Sequence, residues 1–308
     1  MNTISTQLKH SGLDGTHTTK AQRMMTRKLT ALAAGQRRFA MKTLALGMFA
    51  LFALFTLFAA GSAQAQDPTE TMNESHAAYY YAKDGGYAKV EMTLTDKKGR
   101  TRERMFWMVR RDVEDMGDQR YYTYFLEPAD VRRTGFLVHK KAEGNDDRWL
   151  YIPALDLVKR IAADDRGSSF VGSDFTYEDV SGRLPLLDNH ELLGQDTVTG
   201  RAVYKIKNTP KDRGTADFAY RVSYVDKENL LPLKEEYYDD KDRLQRVFEI
   251  LEVKEVEGVP TATMRKMTDS KKGSFTELSF TEVSYETALE ADDFSERMLK
   301  NPPRRFTR

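Results

Sequence analysis

The chain repeats one pattern from Gly85-Gly86 almost to its end: an alternating run of apolar and polar residues, then a tight polar turn. Val90, Met92 and Leu94 alternate with Lys89, Glu91 and Thr93, and Asp96-Lys97-Lys98-Gly99 turns the chain back. Thr101 to Arg111 returns, with Met105 to Val109 apolar on both faces. Arg120 to Leu126, Gly135 to Lys140 and Trp149 to Ile152 follow in the same manner. The C-terminal half resumes it at Arg201 to Lys207, Tyr220 to Tyr224, Leu233 to Tyr238, Leu244 to Val253, Thr261 to Met267 and Phe275 to Tyr285. On Tyr220 to Tyr224 the pattern sets Tyr220, Val222 and Tyr224 opposite Arg221 and Ser223. Runs spaced at about ten residues and joined by short turns predict a mainly β (α+β) fold with a single antiparallel sheet of about ten strands. A sheet of that width must curl.

Helical signals are few. They comprise Pro68 to Lys83, short turns near Asp174 to Asp179 and Leu187 to Leu193, and a helix from Phe294 to Leu299 capped by Asp293. Ile161 to His190, with Gly167, Gly172 and Gly182, reads as loops and is the natural place for a lid. The basic tail Pro302 to Arg308 is expected to fray. A curled sheet with so few helices leaves a concave apolar face, which either packs on a small lid or holds a ligand. Val90, Met92, Leu94, Trp107, Phe125, Trp149, Tyr204, Tyr220, Phe248 and Ile250 are the expected wall of that hollow. Each aromatic among them also reads as an ordinary core or strand-forming residue.

The N-terminal part carries a different message. Arg37, Arg38 and Lys42 precede the apolar run Leu44 to Ala60, and Ala63-Gln64-Ala65 supplies the small-x-small pattern of a signal-peptidase site. Cleavage after Ala65 is expected, leaving a domain of residues 66–308. Residues 1–40 read as an upstream extension before a start at Met41 or as a long n-region, and an uncleaved anchor is the alternative. The residues after Ala65 carry six more acids than bases, which disfavours a nucleic-acid partner. With no cysteine anywhere, disulfides are absent, and a Gram-negative periplasm suits an exported chain of this kind.

Reaction chemistry is not apparent. Gly167-Ser168-Ser169-Phe170-Val171-Gly172 is one residue too long for a nucleophile elbow, and phosphate-binding loops and His-Glu metal motifs are missing. Neither His139, beside Lys140 and Lys141, nor His190, beside Glu191, makes a metal site. No enzyme, cofactor or metal is expected. Asp174, Glu178 and Asp179 admit three readings: a cation site, a helix cap with Asp174 or Thr176 at the N-terminus and Glu178 and Asp179 in the first turn, or a salt-bridge clasp to Arg132, Arg133, Lys159 or Arg160.

Three stretches carry a resemblance to a known family: Phe125-Leu126-Glu127-Pro128 with Gly135-Phe136-Leu137, then Trp149-Leu150-Tyr151-Ile152-Pro153-Ala154, then Phe170-Val171-Gly172-Ser173-Asp174-Phe175-Thr176-Tyr177-Glu178-Asp179. Here the chain resembles the LolA-like outer-membrane lipoprotein-sorting family, in the branch found beside RND-type exporters. The resemblance spans about residues 75 to 300. It implies an unclosed antiparallel barrel with a helical lid and an apolar cavity for acyl chains of lipoproteins or free lipid. The implied partners are that cargo and an inner-membrane RND-type transporter. Arg160, Phe170, Asp174, Phe175, Glu178 and Asp179 are the expected lid and clasp. The alternative is a non-carrier accessory envelope protein of such an exporter.

Overall fold

The computed structural model describes residues 66–286 and 288–306, with the side chain of Arg305 excluded. The expected signal segment and cleavage site therefore lie outside the described residues. A helix, α1 (Pro68–Tyr80), comes first, started by Pro68 and by Asp67, which accepts from Thr69 N at 2.8 Å. Six strands follow: β1 (Gly85–Thr95), β2 (Thr101–Asp112), β3 (Gln119–Glu127), β4 (Gly135–Lys140), β5 (Asp147–Ile152) and β6 (Leu157–Ile161). After a connection over 162–187 that carries the short helix α2 (Tyr177–Ser181), seven more appear. They are β7 (Asp188–Val198), β8 (Arg201–Pro210), β9 (Tyr220–Asp226), β10 (Pro232–Tyr238), β11 (Leu244–Val256), β12 (Val259–Asp269) and β13 (Ser274–Ser284).

These strands form one antiparallel sheet of 13 in the order β6-β5-β4-β3-β2-β1-β13-β12-β11-β10-β9-β8-β7. Two meanders, β1 to β6 and β7 to β13, are thus joined along the β1–β13 pair, where Val90 faces Phe280 and Met92 faces Leu278. The sheet curls without closing, and its outermost strands are β6 and β7. Local chemistry sets the turns: Glu257 and Gly258 both have positive φ, as the two-residue turn between β11 and β12 requires. Among the described residues no helix is long and apolar enough to cross a membrane.

Several expectations are corrected. The sheet has 13 strands, not about ten: neither short β6, just before the stretch read as loops, nor β7, which begins inside that stretch and runs on past it, was read as a strand. Leu187 to Leu193 is not a helical turn. From Asp188 it is the start of β7, paired with β8 along its whole length. Asp293 does not cap a helix from Phe294. It sits inside the turn Ala291–Phe294, reaching back to Glu290 N, and the last helix is α3 (Arg297–Lys300). Nor does the tail fray up to Phe306, whose ring is buried against the outer face of β3.

Register decides which side chains share a face, because directly paired residues of antiparallel strands point the same way. The concave face carries Val90, Phe106, Phe125, Phe136, Phe248, Ile250, Met267, Leu278 and Phe280 in one buried cluster. The convex face of β2 to β5 carries Trp107, Val109, Tyr122, Tyr124, Leu137 and Tyr151 in a second cluster, covered by Phe294, Leu299 and Phe306. Burial on both sides is why Met105 to Val109 is apolar without alternation.

Candidate functional site

The concave face is roofed from two directions. The first cover is α1, whose C-terminal Tyr79 and Tyr80 enter the hollow. Tyr79 meets Phe248 edge-on at 6.2 Å between centroids, and burial pushes its phenol up to about 12. Tyr80 lies over Gly182, whose φ of 78° suits glycine, and a Cβ there would come within 2.4 Å of the ring. The second cover is the connection that runs from the β6 edge to the β7 edge. Its tight turn bonds Phe170 N to Phe175 O at 2.8 Å and Ser173 Oγ to Phe170 O at 2.7 Å. This geometry aims both phenylalanines at the sheet. Phe170 packs on Phe125 and Phe136 at 5.9 and 5.3 Å, and Phe175 on Phe248 at 6.5 Å.

Polar links tie this lid to the strands. Asp174 accepts from Ser274 Oγ at 2.6 Å and from Thr276 Oγ1 at 2.7 Å, both on β13. Thr176 caps α2 and forms a reciprocal capping box with Asp179. Asp179 also pairs with Arg246 of β11 at 2.9 Å. Arg104 of β2 donates to Val171 O. Buried Lys140 of β4 donates to Ser181 O at 2.7 Å and Gly182 O at 2.6 Å, and burial lowers its pKa to about 8. Glu178 is raised by burial and lies 3.7 Å from Arg183.

The inner wall of β9 and β10 is polar. Arg221 pairs with Glu235 at 3.3 Å, and Glu235 accepts from Ser223 Oγ at 2.7 Å and Tyr237 OH at 2.8 Å. Arg183 pairs with buried Asp188 at 2.9 Å. His76 of α1 faces this seam, and burial with nearby Lys140 and Arg221 holds its pKa well below the usual value. Little space is left beneath α1, although more open grooves of about 720 and 180 Å³ flank the lid at Ser169, Ser173 and Asp174. One chamber of about 70 Å³ lies among Met92, Phe106, Phe170, Phe175, Phe248 and the two α1 tyrosines. A second, of about 110 Å³, lies on the other side of Tyr79 and Arg265, toward Tyr87, Ala88 and Tyr285.

A family model described as an uncharacterised protein family matches residues 117–301, more than half of the 308-residue chain. Among solved structures, an outer membrane lipoprotein-sorting protein domain from Vibrio parahaemolyticus is 30% identical, covering 76% of this chain and 98% of that one, with a TM-score of 0.71. The chain belongs to the LolA-like lipoprotein-sorting family. A DUF1329 family protein from Desulfovibrio piger is 27% identical over 76% of this chain and all of its own, with a TM-score of 0.70. A LolA superfamily protein from Nitrosomonas europaea is 16% identical over 76% of this chain and 99% of its own, with a TM-score of 0.60, and shares the fold. No curated protein matches the chain.

Within this LolA-like sheet the expected wall residues separate. Val90, Met92, Leu94, Phe125, Phe248 and Ile250 stand together on the concave face. Trp107 and Trp149 do not. They belong to the convex face, since Trp107 alternates with Phe106 and Trp149 pairs with Leu137. Tyr220 is also convex, stacked on Tyr238 at 4.8 Å and bonded to Asp242. Tyr204 packs in a satellite cluster with Met72, Ile206 and Val225 beside α1, away from both chambers. Among the lid residues, Phe170, Asp174, Phe175, Glu178 and Asp179 converge as described. Arg160 does not join them. It lies exposed on edge strand β6 and pairs with Asp147.

The acids Asp174, Glu178 and Asp179 each meet a different partner, so they make no shared cation site. Among the described residues no group of three or more His, Asp or Glu side chains could hold a metal. Sequence reasoning missed Tyr79, Tyr80, Lys140, Arg246 and the Arg221–Glu235 seam. Only the mismatch between the many apolar strand positions and the few helices hinted that α1 must enter the hollow.

Proposed function

We propose that this protein is a periplasmic carrier that takes acyl chains of lipids or lipoproteins under its lid and moves them toward the outer membrane. In this reading the N-terminal segment exports the chain and is removed after Ala65, residues 66–308 act as the carrier domain, and an inner-membrane RND-type transporter is the donor-side partner. The observation that carries the proposal is a pair of chambers between α1 and an apolar concave face, beneath a lid held by polar links. Each CH₂ leaving water gains about 0.8 kcal/mol, in a bilayer or in an apolar cavity alike. Exchange between membrane and carrier is therefore close to balanced. Polar links can be replaced by water when the lid opens, and the cost of exposing the buried Phe170 and Phe175 rings is the part that a guest acyl chain offsets.

The chambers hold only a few water molecules. Loading must displace Tyr79, Tyr80, Phe170 or Phe175, whose rings occupy the place of a guest in the empty protein. The same filled interior favours a second reading, a non-carrier accessory protein of an exporter. Mass spectrometry of organic extracts from protein purified without detergent separates the two. The carrier reading expects acyl-bearing lipid at close to one equivalent and faster exchange of a fluorescent acyl lipid between vesicles. Extracts free of lipid, no exchange, and copurification of an inner-membrane transporter would reject it in favour of the second.

A further inference from the structure

The charges that line the first chamber are matched except for one. Asp179 is paired with Arg246, Arg183 with Asp188, and Arg221 with Glu235. Arg265, on the concave face of β12 between Ile250 and Leu278, makes no ion pair among the described residues. Its Nε donates to Ala262 O at 3.2 Å, and its Cζ lies 4.7 Å from the Tyr79 ring centroid and 4.0 Å from that of Phe280. Two rings attract a cation but offer no acceptor to its terminal N–H groups. The guanidinium also borders both chambers, as do Tyr79, Tyr80, Met108, Val180 and Phe280. A partly buried arginine with unused in-plane donors, set in an apolar wall, is the arrangement that receives a carboxylate or phosphate.

We infer that Arg265 anchors the anionic head of the cargo, a carboxylate or a phosphate on an acyl chain, while the chain lies along the concave face. This rests on the carrier reading and narrows it to acidic amphiphiles, in preference to acyl groups with an uncharged head. Tyr79 is the element that must swing, since its ring both covers the guanidinium and partitions the chambers. An anion seated there would neutralise the unmatched cation in a medium less polar than water, where such a bond is strengthened.

The test is displacement of a fluorescent acyl probe from the full mature protein by three ligands with the same twelve-carbon chain: dodecanoate, dodecyl phosphate and dodecanol. The wild type is expected to prefer at least one anion over dodecanol by roughly ten- to a hundredfold, the range of a hydrogen bond to a charged group. The favoured anion then identifies the head as carboxylate or phosphate. In Arg265→Gln the ratio of anion to dodecanol affinity is expected to fall to about one, and a ratio kept at the wild-type value would overturn the role of Arg265. Should that variant fail to fold, Arg265→Lys replaces it, keeping the charge but losing the planar fork, and is expected to lower the ratio; an unchanged ratio there overturns the role of Arg265. Equal binding of dodecanol and both anions to the wild type overturns the role of Arg265 and leaves the carrier reading intact. If none of the three displaces the probe, the carrier reading falls and takes this inference with it.

Discussion

The two faces of the sheet are covered by different physics. On the convex side, Phe294, Leu299 and Phe306 lie on Tyr122, Tyr124 and Leu137 as a mainly apolar layer, whose polar ties include the Tyr122 hydroxyl to Met298 O, His139 Nε2 to Phe294 O and Lys300 to Asp156. On the concave side the aromatic plugs Phe170 and Phe175 are also apolar, but the segment that bears them is fastened by charges and hydroxyls: Asp174 to Ser274 and Thr276, Asp179 to Arg246, Lys140 to two carbonyls. Apolar layers come off only at the cost of exposing their area to water, whereas polar fasteners have water as a ready substitute. The convex cover is accordingly a permanent part of the core. On the carrier reading, the concave cover is the one that is exchanged.

Truncating a plug on each side should break or sharpen that contrast most strongly. Phe170→Ala is expected to lose about 3–5 kcal/mol in urea unfolding, and dodecanoate should restore much of the loss by filling the vacated space. Leu299→Ala is expected to lose about 3 kcal/mol that no ligand restores. Trp107 and Trp149 pack in that outer cluster, so tryptophan emission should respond to Leu299→Ala and stay silent to lipid. Recovery by ligand in both variants, or in neither, would erase the distinction.

Protonation gives the next test. Unfolded, Lys140 keeps its proton to about pH 10.5, and folded only to about 8. Between those values the unfolded chain binds more protons, so the folded state gains as pH rises through that window. Measured against Lys140→Met, the wild type should gain about 3 kcal/mol from pH 7 to pH 10.5. A difference that stays flat with pH would show that burial does not disfavour the Lys140 ammonium in the folded protein. The smallest effect expected is that of Arg246→Met. Amides of residues 168–182 should exchange hydrogen about tenfold faster, with those of residues 291–299 unchanged. Equal acceleration in both segments would show that the lid does not open on its own.

Much of the architecture was legible from residue order. Val90, Met92 and Leu94 announced a half-buried strand and do face the core, and Thr176 was one of two residues offered as a cap for the lid helix. Asp174, the other, instead fastens the lid to β13. Other residues were read onto the wrong face for identifiable reasons. Arg221 and Ser223 looked like the wet side of β9 because they are polar, yet they face inward, where Glu235 and the end of α1 supply partners. Tyr220 looked like cavity wall because it is aromatic, yet it lies outside against Tyr238. Trp107 was assigned to the hollow because nothing in the pattern revealed that Leu299 and Phe306, beyond the last strand, would fold back over its face.

By itself the sequence determined the antiparallel meander, the scarcity of helix and the position of the lid, because alternation and turn chemistry are local properties of a few neighbouring residues. Only the tertiary structure decided which phase of each alternation points inward. A period of two has two equivalent settings, and the choice depends on what segments distant in the chain bring to each side of the sheet. That choice also left Arg265 inside an apolar wall with no ion pair among the described residues.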